Sequence, residues 1–495
     1  MLFDANQCDD KCLGDAVFDA CIIGSGPAGM SLALKLAEKG WKIGLFEGGG
    51  LEFSKESQQI YSGKNIGIDY FPLDVTRLRY LGGSSNHWEG WCLQLEDLDF
   101  LTLPQDNDDG WPIRKSNLDP YAAPASDILD IKPIEETHDI FSGGGGPFVP
   151  FQFRHSRPTR FNAKYKGTLA ASKNIHLFVN ANLVDLDLSD NLQQVSQAIF
   201  RSFARLEPFT VKAKYFAVCL GGLENPRFLL NANRQVKVGI GNENDLVGRF
   251  FCEHLHYHVG EMFLDVEAQQ RYPQNRSFLR PKRNFIVDER IGNFCLMLER
   301  LVHKPDSTLS DTLRDGVCES GMLRRIVEAI RRKDFYCFDA VVRCVAEQHL
   351  NPDSRVKLGN DTDRFGKRRL ELDWHILEID KRTMQVGAIE LGKQMAQTNV
   401  GRLKVPDWLL DPSVTVPTTA KDEVAGNHHM CTTRMSDDPK KGVVDRNCRV
   451  HSLDNLYIGG SSVFGSSGFC NPTFTIVQLA LRLADHLDSR LKSAA

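Results

Sequence analysis

Gly24, Gly26 and Gly29 stand in the spacing Gly-x-Gly-x-x-Gly, and Glu47 closes the next apolar run. Glycines so placed let a backbone turn approach a pyrophosphate. The helix behind them offers free N–H groups and partial positive charge, and an acid at that distance accepts hydrogen bonds from ribose hydroxyls. A carboxylate there repels a 2′-phosphate, so the pattern favours FAD or NAD over NADP without deciding between them. His254, His256 and His258 alternate as strand residues do and could face a metal. No carboxylate or cysteine set at ligand spacing completes that group, so no metal is expected. Cys8 and Cys12 are the one tight cysteine pair; with no second pair following, they are expected to be ordinary thiols.

The glycine motif needs a strand before it and a helix after it. Ala20, Cys21, Ile22 and Ile23 supply the strand, apolar on both faces as in a parallel sheet. Met30, Ala33, Leu34 and Ala37 recur at helical spacing until Gly40, and Ile43, Leu45 and Phe46 form the second strand. Further along, residues 143–146 form a glycine run that reads as a loop. Residues 175–188 read as a strand and turn, and residues 213–220 as a strand leading into Gly221 and Gly222. From 255 to 425 the pattern is mixed, with strands predicted at 355–358 and 369–374 and a helix at 381–398. A last helix over 476–487 places Val477, Ala480, Leu481 and Ala484 on one face.

A chain of 495 residues is long enough for two or three structural units, and its 42% hydrophobic and 25% charged content is ordinary globular composition. The formal charge of −4 leaves no general phosphate-binding footprint, so nucleic acid is not an expected partner. No uninterrupted apolar stretch of about 18 residues predicts a membrane span. The opening residues are acidic and lack a basic start followed by an apolar core. A cytoplasmic location is therefore expected, with export alongside a helper subunit left open. Thirteen cysteines, an odd number scattered along the chain, point away from a disulfide framework.

Four further segments resemble the glucose-methanol-choline (GMC) oxidoreductase family in order and spacing. They are RYLGGSSNHW at 79–88, GGLENPRFLL at 221–230, VGRFFCEH at 247–254, and the blocks HHMCTTRM, GVVD, NLYIGGSSVF and GFCNPT between 427 and 473. The resemblance implies an α/β (α+β) fold, with a Rossmann-like FAD-binding domain and an antiparallel-sheet substrate domain. It divides the chain into FAD-binding parts at 15–110 and 151–254, a substrate-side insertion at 111–150, a substrate domain at 255–425, and a C-terminal FAD-binding and catalytic part at 426–490. It also selects FAD as the cofactor. Beyond the first glycine motif, it places Gly82, Gly83, Ser85, His87, Leu183, Gly460 and Thr473 on the flavin. His87 falls where some members carry a histidine bonded to the flavin 8α-carbon, and a covalent and a non-covalent cofactor are both open.

The same resemblance implies a catalytic pair. Taking a hydride from a C–H bond requires the attached O–H proton to leave, so a base must lie beside the flavin. His428 occupies the family's base position, three residues before a glycine, with His429 as the alternative; Asn471 occupies the second position. One residue departs from the pattern: Cys431 stands where the family commonly has glycine, which removes easy access to positive φ. The expected reaction is oxidation of a CH–OH group of a sugar, glycoside or polyol, with hydride transfer to flavin N5. The alternatives are an oxidase of a non-sugar alcohol and a lyase of the hydroxynitrile lyase or photodecarboxylase type. The electron acceptor, whether oxygen, a quinone or a cytochrome, is left open by the sequence.

Overall fold

Cys21, Ile22 and Ile23 are shielded from solvent on both sides because their strand, β2 (Val17–Ile23), lies inside a sheet covered on both faces. The computed structural model describes residues 1–8, 17–105, 110–132, 140–141, 145–205, 207–265, 268, 276–300, 316–317, 320–331, 339–411, 413–414, 416–417 and 425–494. The sheet runs in the order β1 (Leu2–Asp4), β8 (Ile175–Val179), β3 (Ile43–Phe46), β2, β11 (Phe209–Val218), β10 (Val195–Arg201), β9 (Asn182–Leu188), with β19 (Leu456–Ile458) beside the end of β11. Strands from β1 through β11, and β19, are parallel to their neighbours; β9 and β10 return antiparallel.

Helix α1 (Pro27–Glu38) follows β2 and buries Met30, Leu32, Ala33 and Leu36. It begins three residues earlier than the periodicity of Met30 implies, because Pro27 has no N–H to lose in the first turn. Residues 175–188 are two strands rather than one, broken at Asn180, whose φ is +56°. The strand predicted at 213–220 runs from Phe209 to Val218. The last helix is longer than its apolar stripe suggests. Here called α4 (Thr473–Ser493), it packs on α1, and its Asp488 accepts from Trp41 Nε1 at 2.9 Å and Lys39 Nζ at 3.1 Å.

A second sheet is antiparallel throughout, in the order β18 (Gly401–Lys404), β12 (Leu255–Leu264), β15 (Ala340–Ala346), β14 (Phe294–Arg300), β13 (Arg276–Pro281), β6 (Phe148–Phe151). Side chains alternate across it. Tyr257, Val259, Leu296, Leu298, Val342 and Cys344 join a core with Met384, Ala388 and Leu391 of α3 (Glu378–Gln397), the helix expected at 381–398. His256, Phe278, Met297, Arg343 and Val345 occupy the other face, which walls a cavity. The predicted strands near 355 and 369 form β16 (Arg355–Thr362) and β17 (Arg368–Asp373), sheeted with β4 (Gly63–Asn65). A two-stranded ribbon pairs β5 (Trp91–Cys92) with β7 (Arg154–His155).

Cys12 and the first two glycines of the 143–146 run fall outside the described residues. The described cysteines are buried free thiols. Among the described residues, no helix is long and apolar enough to cross a membrane.

Candidate active site

The cavity encloses about 790 Å³ between the glycine turn after β2 and the outer face of the second sheet. Glycine is required in the turn for two different reasons. A Cβ on Gly24 (φ +101°) would lie 2.4 Å from the Cys219 carbonyl oxygen, and one on Gly29 would lie 1.9 Å from that of Gly24, so these residues let helix and strand close up. A Cβ on Gly26 would meet no protein atom within 4 Å; it would project into open space at the start of α1. That bare backbone at a helix N-terminus fits a pyrophosphate.

Glu47 is buried on the same wall. One carboxylate oxygen accepts from Ser25 N (3.1 Å) and Ser25 Oγ (2.6 Å), the other from Gly49 N (2.8 Å). Its visible work is to tie the glycine turn to the end of β3, and its remaining lone pairs are the ones a ribose would use. Gly82 N donates to Ser25 Oγ at 3.1 Å, which draws the second glycine segment onto the first. Ser85 Oγ donates to the Gly82 carbonyl at 2.8 Å and accepts from Phe161 N at 3.1 Å. Gly24, Gly26, Glu47, Gly83, Ser85, His87, Leu183, Gly460 and Thr473 line the cavity; Gly29 and Gly82 pack behind its wall.

His428, His429 and Asn471 line the same cavity. His428 is half-buried at the cavity, and desolvation, with the imidazoles of His254, His256 and His429, pushes its pKa well below the usual histidine range. Its Nδ1 is 3.0 Å from Nδ1 of His254. His429 Nε2 is paired with the Tyr70 hydroxyl at 3.1 Å, and burial followed by Arg77 and His87 lowers its pKa to about 3. Asn471 precedes Pro472 at the start of α4, which brings the carboxamide to the cavity from the C-terminal segment.

Cys431 adopts φ +68° despite its side chain. Its N–H donates to the Ser461 carbonyl at 3.1 Å, and the flanking Met430 N–H donates to the Cys252 carbonyl at 3.0 Å, so backbone pairing on both sides holds the strained residue. The thiol is fully buried against Cys252, away from the cavity wall.

The histidines gather differently from the expected strand triplet. His258 is exposed, and His254, His256 and His428 bring their ring nitrogens within 4.8 Å of one another. Three imidazoles suffice for a ligand set, although two of these already share a hydrogen bond.

Several charged residues on or near the wall escaped the sequence reading. Arg227 Nη1 binds Glu224 at 2.9 Å and its Nη2 binds Asp363 at 2.5 Å, while Arg77 lies 3.3 Å from Glu224. Glu224 and Arg227 stand inside the 221–230 block, but nothing local marks Asp363 as their partner. Glu253 is buried with its carboxylate accepting from Gly426 N at 2.7 Å, and desolvation raises its pKa to about 8. On the opposite wall Arg276 and Glu299 pair at 2.8 Å beside Arg343.

Residues 351–480 match the family model described as GMC oxidoreductase. The fructose dehydrogenase large subunit of Gluconobacter japonicus is 26% identical over 57% of this chain and 48% of its own length. The 6'''-hydroxyparomomycin C oxidase of Streptomyces lividus is 22% identical over 96% of this chain and 92% of its own. The chain thus spans about half of the first relative and most of the second. Pyridoxine 4-oxidase from Mesorbium loti shares the fold, with a TM-score of 0.56, 17% identity, and coverage of 95% of this chain and 99% of that one. Over residues 351–480 the chain thus matches the GMC oxidoreductase family, and over most of its length it shares the fold of pyridoxine 4-oxidase.

Proposed function

We propose that this protein oxidises a CH–OH group of a sugar, glycoside or related polyol, with FAD held in the cavity. The observation that carries the reading is the convergence on one cavity of the glycine turn, the 79–88 segment, His428 and Asn471. FAD, when bound, supplies the hydride acceptor. Gly24, Gly26, Glu47, Gly83, Ser85, Leu183, Gly460 and Thr473 would hold it, with Gly29 and Gly82 supporting the turn. Neutral His428 accepts the hydroxyl proton as the C–H bond breaks. Asn471 donates its carboxamide N–H to the alcohol oxygen and cannot compete for that proton. Arg276, Glu299 and Arg343 give the facing wall the polar groups a polyhydroxyl substrate needs. Two of the relatives described above are named for fructose and for an aminoglycoside, which supports the substrate class. The parts at 15–110, 151–254 and 426–490 serve the cofactor, and 255–425, with the insertion at 111–150, serves the substrate. The acceptor that reoxidises the flavin is oxygen, a quinone or a cytochrome, and a helper subunit belongs to the same reading.

Anaerobic mixing of the flavin-loaded protein with a panel of sugars and polyols tests this. Bleaching of the flavin band by one of them supports it. A flavin that stays yellow while substrate is cleaved indicates a lyase, and one that no alcohol on the panel bleaches contradicts the proposal. His87 lines the cavity, and we propose that it carries the flavin through the 8α-carbon. Acid-denatured protein should then retain yellow fluorescence, and full release of flavin into the supernatant contradicts the bond.

A further inference from the structure

We propose that His254 is a positioning residue that fixes the proton of His428 on Nδ1 and leaves Nε2 bare. This deepens the proposed base role of His428 and rests on it. His254 Nε2 lies 3.4 Å from the Ser467 carbonyl oxygen, with the Gly468 carbonyl a second neighbour. A carbonyl has no proton to give, so Nε2 of His254 must carry the hydrogen. Burial holds His254 neutral, with a pKa of about 3, so its other nitrogen, Nδ1, has a lone pair and no proton.

That lone pair faces Nδ1 of His428 at 3.0 Å. Two bare nitrogens at this distance would repel, and His428 is itself uncharged. The hydrogen between them must therefore belong to His428 Nδ1. A neutral imidazole carries one ring proton, so Nε2 of His428 is the free base. Without this partner a neutral histidine in water prefers the opposite tautomer, whose Nε2 bears the proton and whose only lone pair is on Nδ1, the nitrogen that faces His254. The chain from the Ser467 carbonyl through His254 to His428 thus selects the reactive form. His254 is fully buried, so solvent does not compete for it. Its position follows from the 247–254 block, which carries it to the start of β12 below the 427–435 segment, where Cys252 and Met430 exchange backbone hydrogen bonds at 3.2 and 3.0 Å.

The tautomer can be read without turnover. In the FAD-loaded enzyme labelled with ¹⁵N-histidine, His428 should show a protonated Nδ1 and a bare Nε2, and His254 the reverse. A His428 signal protonated at Nε2 overturns the proposal. In His254→Phe, which keeps a ring and loses both nitrogens, flavin reduction should slow by about 10- to 100-fold, the size of loss seen when the partner orienting a metal-bound histidine is removed. In His254→Asn, whose carbonyl accepts and whose amide donates, most of that loss should return. Equal rates in all three proteins also overturn it. If His254→Phe does not fold, the labelled wild-type enzyme alone decides. The base reading fails separately, by full activity in His428→Ala, while the tautomer of the wild-type enzyme stands on its own spectrum.

Discussion

His428 is uncharged at neutral pH because desolvation and neighbouring imidazoles disfavour its cation, and the base form is present above its lowered pKa and lost below it. At saturating substrate the rate of flavin reduction should therefore hold steady from pH 8 down through 6.5. A midpoint at or above 6.5 would contradict this. Glu253 runs the other way. Its folded pKa of about 8 lies above the ordinary 4.5, so between those values the unfolded chain is ionised while the folded one keeps its proton. Stability then falls as pH rises through that window, by up to about 1.4 kcal/mol per unit, and levels off above it. Glu253→Gln keeps the neutral shape without titrating. Its melting temperature should rise relative to wild type from about pH 5 to about pH 8, and a pH-independent difference would sink the assignment. His428 and Asn471 were legible as residues because each sits in a short local motif. The contact of His428 with His254 was not, since those residues lie 174 positions apart.

Elements were legible where the physics is local. The strand, glycine turn and helix at 17–38 could be read because two-sided burial, turn chemistry and helical spacing all fall within a few turns of chain. The strands β12 to β15 were hidden inside a region read only as mixed. On them the cavity face itself carries apolar residues, among them Phe278, Met297 and Val345, so the alternation that marks a half-buried strand is blurred. The glycine turn gives a contrast that separates folding from binding. Gly29→Ala drives a Cβ into the Gly24 carbonyl and should lower the melting temperature of the apoprotein. Gly26→Ala meets no protein atom and should leave apoprotein stability unchanged while weakening FAD affinity. Equal effects of both on apoprotein melting would contradict the distinction.

At the scale of the molecule, the site exists because separated segments share walls. Gly24 and Glu47 come from the first strands, Leu183 and Gly221 from the middle, His256 from the second sheet, and His428 and Asn471 from the end of the chain. Family motifs announce most of these pieces, whereas the ion pairs joining them depend on residues that no motif marks. Arg227, on α2 (Glu224–Asn231), reaches Asp363 in the turn after β16 and also holds Glu224. Arg227→Met should cost about 3–5 kcal/mol in denaturant unfolding, because it strands buried carboxylates. A loss under about 1 kcal/mol, the range of a surface pair, would show that Asp363 reaches water. The central claim is that His428 takes the substrate proton in a cavity that holds the flavin, and anaerobic stopped-flow reduction of wild type and His428→Ala tests it most directly. With flavin content and melting temperature unchanged, the variant should reduce its flavin about 10²- to 10⁴-fold more slowly; reduction at the wild-type rate would contradict the account.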